Sequence, residues 1–212
     1  VGLKATAESI ALPESMGQLE SVNLSCQELN FTSIHIQCRK GVLSFVHDEF
    51  GQQKIQFAVD ADSENDIYRI TTSGLALASS VVKLDLYITQ QHWRMKLKAP
   101  PTLIKNIRGF IAPYLSQEQK SVLASWQLAG DIAFTTDVTG HGEQVDTVEV
   151  DLLLNQFTAS DQAGQYATEA IQARVSIDLQ QHKSRWQWQA TLDSEHGQAY
   201  VAPIFMDLSD TA

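Results

Sequence analysis

No stretch of about 20 apolar residues occurs in this chain of 212, so no segment is suited to cross a bilayer as a helix. Basic residues are scarce: 15 Lys plus Arg stand against 25 Asp plus Glu, a net charge of -10. Such a field repels phosphate backbones and anionic membrane surfaces, which argues against nucleic acid as a partner. Catalytic signatures are missing too, with no G-x-S-x-G elbow, HExxH pair, P-loop or dinucleotide fingerprint. The histidines, His35, His47, His92, His141, His182 and His196, are dispersed, and His141 and His196, each beside Gly and an acid, read as solvated turn residues rather than metal ligands. Asp146, Glu149 and Asp151 lie close in sequence, but Glu149 and Asp151 share the polar phase of one strand, where a solvated surface is the ordinary explanation. The expectation is a protein that is not an enzyme and needs no cofactor or metal. A hydrolase assembled from distant residues would require a pocket with at least two polar side chains of perturbed protonation. Cysteine is nearly absent. Cys26 and Cys38 lack CxxC spacing and a supporting His cluster, which leaves a structural disulfide across neighbouring strands or two unpaired buried thiols. A disulfide would place the chain in an oxidising compartment. Val1 opens directly into alternation of Leu3, Ala5 and Ala7 without an initiator Met, as expected of a mature protein or an excised fragment.

What the chain does have is alternation, and its 43% hydrophobic and 19% charged content is ordinary for a folded protein. Ile171, Ala173, Val175, Ile177 and Leu179 alternate with polar residues, and so do Trp186, Trp188, Ala190 and Leu192. Side chains of a strand point to opposite faces, so this spacing predicts two one-sided strands joined by a polar turn at residues 181–184. The same device recurs at Val82, Leu84, Leu86 and Ile88, followed after Gln90 and Gln91 by Trp93, Met95, Leu97 and Ala99. Shorter runs precede it: a strand before Pro13, a turn from Pro13 to Gly17, and a meander from Leu19 to Phe45 in which Arg39, Lys40 and Gly41 separate the last two strands. Turns at 48–51 and 62–66 flank a strand through Ile55 and Val59, and Gly74 predicts a bulge in the strand from Tyr68 to Leu77. Pro100 and Pro101 are expected to end this set, because proline cannot donate to a ladder.

Leu103, Ile104, Ile107, Phe110, Ile111 and Leu115 then fall at helical spacing, with Thr102 as cap and an end or kink at Pro113. Ser116 and Gln119 have capping-box spacing for a second helical turn to Leu123. Strands resume at Trp126, Leu128, Ile132 and Phe134 with a kink at Gly130, a loop from Thr139 to Gln144, and a strand through Val148 to Leu154. After a turn at 161–164, the hairpin described above and a close from Gln198 to Leu208, edge-like or irregular because of Pro203, complete the chain. The expected fold is mainly β: a long curved antiparallel sheet, groove or barrel-like, with one short helical insertion around residues 101–123. The chain reads as a single β-rich domain, 1–212, with a first strand set at 1–99, the helical insertion at 100–123 and a second strand set at 124–212, and as a fragment of a longer protein.

Trp93, Trp126, Trp186 and Trp188, with Phe57 and Phe134, fall on the apolar phase of these strands. They serve either a packed sandwich or barrel core or a curved sheet whose apolar side receives a greasy ligand. A membrane-embedded barrel fits badly with the inserted helix and the double proline. The order of one-sided strands, the amphipathic helix at 101–123, the return through WQLAGDIAF at 126–134 and the closing GQAYVAPIFMDL at 197–208 resemble a segment of the bacterial AsmA-like proteins, nearest the YdbH branch. The resemblance covers most of the chain as a pattern. Members of that family are much longer, start with an inner-membrane helix and form an elongated periplasmic β groove that carries phospholipid towards the outer membrane. The resemblance therefore implies a piece of such a groove, binding phospholipid or another acyl-chain lipid, in contact with envelope proteins, from a full-length protein anchored in the inner membrane. It carries no catalytic residues. The residues expected to line the lipid path are Leu84, Leu86, Trp93, Met95, Phe134, Val175, Ile177, Trp186 and Trp188. The alternative is a secreted or cell-surface β domain with a closed core that acts through protein contacts.

Overall fold

Alternating side chains build ladders, and the structure, a computed structural model that describes residues 2–11, 18–47, 51–77, 80–112, 115–182 and 185–208, is a succession of them. The elements are β1 (Leu3–Ala11), β2 (Gln18–Cys26), β3 (Leu29–Phe31), β4 (His35–His47), β5 (Gly51–Asp62), β6 (Ile67–Leu77), β7 (Ser80–Ile88) and β8 (Trp93–Leu103). Helices α1 (Ile104–Ile111) and α2 (Gln117–Ala124) follow, and then β9 (Trp126–His141), β10 (Gln144–Asp161), β11 (Tyr166–His182), β12 (Arg185–Val201) and β13 (Ile204–Asp207). All 13 strands belong to one sheet, in the order β1-β2-β4-β5-β6-β7-β8-β9-β10-β11-β12-β13, with β3 paired to β4 beside that path. The order does not return on itself. The sheet is open, not a barrel, and the expected single helical insertion is two short helices.

Several local expectations change for identifiable reasons. Arg39 to Gly41 do not separate two strands: β4 is continuous, and its register against β5 steps from Cys38↔Val59 to Gly41↔Phe57, so Arg39 and Lys40 together oppose one residue as a bulge. β8 runs through Pro100 and Pro101. Its ladder with β7 extends from Ile88↔Trp93 to Lys83↔Lys98, and the prolines lie beyond that last pair, where their fixed φ of about -65° suits an extended chain. Thr102 does not cap α1, because its hydroxyl donates to the Pro100 carbonyl at 2.9 Å and Leu103 occupies the N-cap. The second cap forms as expected: the Ser116 amide donates to Gln119 Oε1 at 2.9 Å, and the Gln119 amide to Ser116 Oγ at 3.2 Å. Thr139 to His141 are strand rather than loop, leaving Gly142 and Glu143 as the turn. Ala202 and Pro203, joined by a cis peptide, turn the chain so that β13 pairs back on β12 from Val201↔Ile204 to Gln198↔Asp207. The expected turns at 13–17 and 48–50, the break at Pro113 and the tip at 183–184 lie outside the described residues.

Gly74 and Gly130 mark the expected irregularities as positive-φ residues, although β6 and β9 run through them without a break. Gly74 has φ +94°, and a Cβ there would come within 2.9 Å of the Lys54 carbonyl oxygen. Gly130 has φ +107°, and its Cβ would meet the Gln156 carbonyl oxygen at 2.6 Å. Beyond Gly74 the Ala76 amide donates to the side chain of Gln53 at 3.1 Å, so a buried amide side chain supplies an acceptor close to this glycine.

The chain divides into two units. Unit one comprises Val1–Leu77, Val81–Lys98 and Asp137–Thr147, and unit two comprises Ala78–Ser80, Ala99–Thr136 and Val148–Ala212. In unit one Val22, Cys26, Cys38, Phe45, Val82 and Val138 are buried, and in unit two Ala99, Ile104, Ala159, Ile171 and Ala173 are. Cys26 on β2 and Cys38 on neighbouring β4 form a disulfide with Cα atoms 6.0 Å apart, settling the choice left open by the sequence. A bond of this kind is consistent with an oxidising, extracytoplasmic compartment.

The disulfide closes a loop with a sequence separation of 12. Joint replacement of Cys26 and Cys38 by serine should lower the unfolding free energy by about 3 kcal/mol, seen as an earlier denaturant midpoint; an unchanged midpoint would contradict this role. Gly130→Ala should cost about 1–3 kcal/mol in the same measurement, because the new Cβ meets backbone and the conformation is left-handed.

Candidate functional site

On β7 and β8 in unit one the register is Leu84↔Leu97, Leu86↔Met95 and Ile88↔Trp93. Directly opposed residues share a face, so the sheet brings Leu84, Leu86, Trp93 and Met95 together as expected and adds Leu97 and Ile88. All six are half-buried. Trp93 is also fixed in place. Its ring lies where a Cβ on Gly140 would meet it at 2.4 Å, and its Nε1 donates to the Gly142 carbonyl at 3.0 Å. The lack of a side chain at Gly140 thus seats an indole whose polar edge is satisfied. A second ring in unit one is placed the same way, with Phe57 over Gly41 across the β4–β5 ladder.

The unit-two ladder pairs Val175↔Leu192, Ile177↔Ala190, Leu179↔Trp188 and Gln181↔Trp186. Val175 and Ile177 are half-buried, whereas the β12 side of this face stands in water: Trp188 is 73% exposed, Leu192 65% and Trp186 46%. The reverse face is polar, with Arg174↔Asp193 and Ser176↔Thr191, and Ser176 Oγ donates to Asp151 at 2.6 Å. Phe134 is half-buried on β9, also in unit two. Leu192 and Leu179 were not among the expected lipid contacts. Their alternation was visible, but only the register puts Leu192 across from Val175 and Leu179 across from Trp188.

Several polar side chains pair with one another. Arg94 grips the buried carboxylate of Asp137, with Nε donating to Oδ1 at 2.8 Å and Nη2 to Oδ2, and this hydrogen bonding holds Asp137 below the usual carboxylate range against the opposing effect of burial. Asp60 is lowered by hydrogen bonds from His35, at 2.7 Å, and from Gln37, at 2.8 Å. Asp62 is lowered by the side chain and backbone amide of Asn65 in its turn. His141 is exposed and contacts Asp146 at 2.7 Å across the β9–β10 turn. Among the described residues no group of three or more His, Cys, Asp or Glu is placed to share a metal ion.

The architecture defines a class, an open antiparallel sheet with polar faces and incompletely covered apolar ladders. The chain matches no protein-family model, no curated protein and no solved structure.

Because Asp137 has a lower pKa folded than unfolded, its contribution is full above the unfolded value, about 3.9, and is lost as pH falls through the depressed folded value. Stability should therefore rise with pH across that acid window. Asp137→Asn should flatten the rise in thermal melts, and a variant whose acid limb matched the parent would contradict the assignment.

Proposed function

We propose that this chain is a periplasmic segment of an AsmA-like, YdbH-type lipid carrier, holding phospholipid acyl chains on apolar ladders of its open sheet and passing them on without chemical change. One observation carries the reading. Trp188 and Leu192, 73% and 65% exposed, stand on the apolar phase of β12, on the same face as Leu179 and Val175. A large apolar side chain gains about 1.5–3 kcal/mol when taken out of water, and each acyl CH₂ laid against it about 0.8 kcal/mol. A row of such side chains at the period of a strand suits an extended hydrocarbon, which needs length rather than hydrogen bonds. The β7–β8 ladder offers a second row in which Met95 supplies an adaptable contact and Trp93 a rigid one. The disulfide supports the oxidising compartment that the reading requires. The rival, a domain with a closed core of two sheets, is disfavoured because every described strand belongs to one open sheet. Envelope proteins and an inner-membrane anchor on the full-length protein belong to the same proposal.

Native mass spectrometry of the chain purified without detergent, with extraction of the bound fraction, should find phospholipid. The paired change of Trp188→Glu and Leu192→Glu should reduce the bound fraction several-fold while circular dichroism stays unchanged. Absence of lipid from the parent chain would overturn the proposal.

A further inference from the structure

Charge is unevenly spread over this acidic chain. Against a net charge of -10, the polar face of the β7–β8 ladder sets Lys83 directly across from Lys98, with Asp85 across from Lys96. Opposed like charges in a ladder repel one another. Among the described residues no carboxylate forms an ion pair with Lys83 or Lys98, unlike Lys40 with Glu28 or Arg94 with Asp137. An anion beside Lys83 would relieve that repulsion.

Lys83 borders a hollow of about 570 Å³ within unit one. Arg39 and Lys40 border it from the bulge in β4, and Gln56 of β5 with Thr71 and Ser73 of β6 contribute the strands between, following the order β4-β5-β6-β7. Asp85 is the one carboxylate in its lining. Arg39 is oriented by its Nε, which donates to Gln37 Oε1 at 3.0 Å, and Lys40 is tethered to Glu28. The β4 bulge therefore has a use: it sets two successive cations at the rim of the same hollow that Lys83 enters from β7.

We propose that this hollow binds a phosphate group. Guanidinium, ammonium and hydroxyl donors brought to one concavity suit an acceptor with several oxygens, and its volume is that of small-molecule sites. The negative field of the chain opposes approach from a distance, so capture depends on these short-range donors. The phosphate is either free or part of a lipid headgroup. The inference does not rest on acyl-chain binding: a chain that binds phosphate but carries no lipid keeps this site and loses the proposal above.

Two probes separate the sources. Titration with inorganic phosphate, followed by amide NMR, should move the signals of Thr71, Ser73 and Lys83 saturably if free phosphate is taken. Flotation with vesicles of phosphatidylcholine, with and without phosphatidylglycerol, should show binding that strengthens with phosphatidylglycerol, whose phosphate has no choline cation beside it, if the phosphate is a headgroup. In whichever assay responds, Lys83→Ala should weaken binding about tenfold, and Arg39→Gln, at an exposed position, provides an independent variant. No response to either probe, or binding unaffected by both substitutions in folded protein, would overturn the site.

Discussion

A strand has two faces, and a sheet gives one of them to water only if the other finds cover. In this chain the cover is incomplete. Among the described residues the buried apolar side chains of unit two are mostly small, while Trp188 and Leu192 on β12 stand in solvent. The functional reading depends on that imbalance. An apolar row in water costs free energy, and that is the cost the proposed hydrocarbon ligand would remove.

The bulges connect the ladders to the candidate sites. A bulge changes which residue stands opposite which, and it re-aims the side chains at the step. On β4 it presents Arg39 and Lys40 to the hollow while keeping Gly41 beneath the ring of Phe57. On β11, Ala170 at φ 49° accompanies the register shifts against β12 between Glu169 and Ala173. Threonine hydroxyls accept hydrogen bonds nearby: Thr168 from the Ala159 amide at 2.9 Å, and Thr158 from the Ala170 amide at 3.4 Å. The strands thus leave regular pairing without leaving these amides unsatisfied.

How much of this was legible in the sequence follows from what each feature depends on. Period-two alternation is local, and it placed both Trp-bearing hairpins and the polar phase facing away from them. Gly74 and Gly130 were readable as interruptions because glycine is the residue that takes positive φ without penalty. Ser21, Gln156 and Ala170 also take positive φ, at 51°, 51° and 49°, and nothing in their side chains announces it; tertiary pairing imposes it. Register is equally non-local. The expected residues on β7 and β8 share one face of their ladder, as do those on β11 and β12, but the partners Leu97, Leu179 and Leu192 needed the register. Pro100 and Pro101 misled because a missing donor ends a ladder only where a donor is required. The whole-chain charge is a sum, and a sum of -10 does not show that Lys83 stands opposite Lys98.

The central claim is that hydrocarbon reaches the apolar ladder of β12, and the most direct measurement is fluorescence quenching in a variant that retains Trp188 alone among the tryptophans. Phospholipid brominated in its acyl chains should quench Trp188 strongly and displace the effect of a water-soluble quencher, as expected when acyl chain replaces water against the indole. Quenching by the water-soluble agent alone, unchanged by any amount of brominated lipid, would contradict the account.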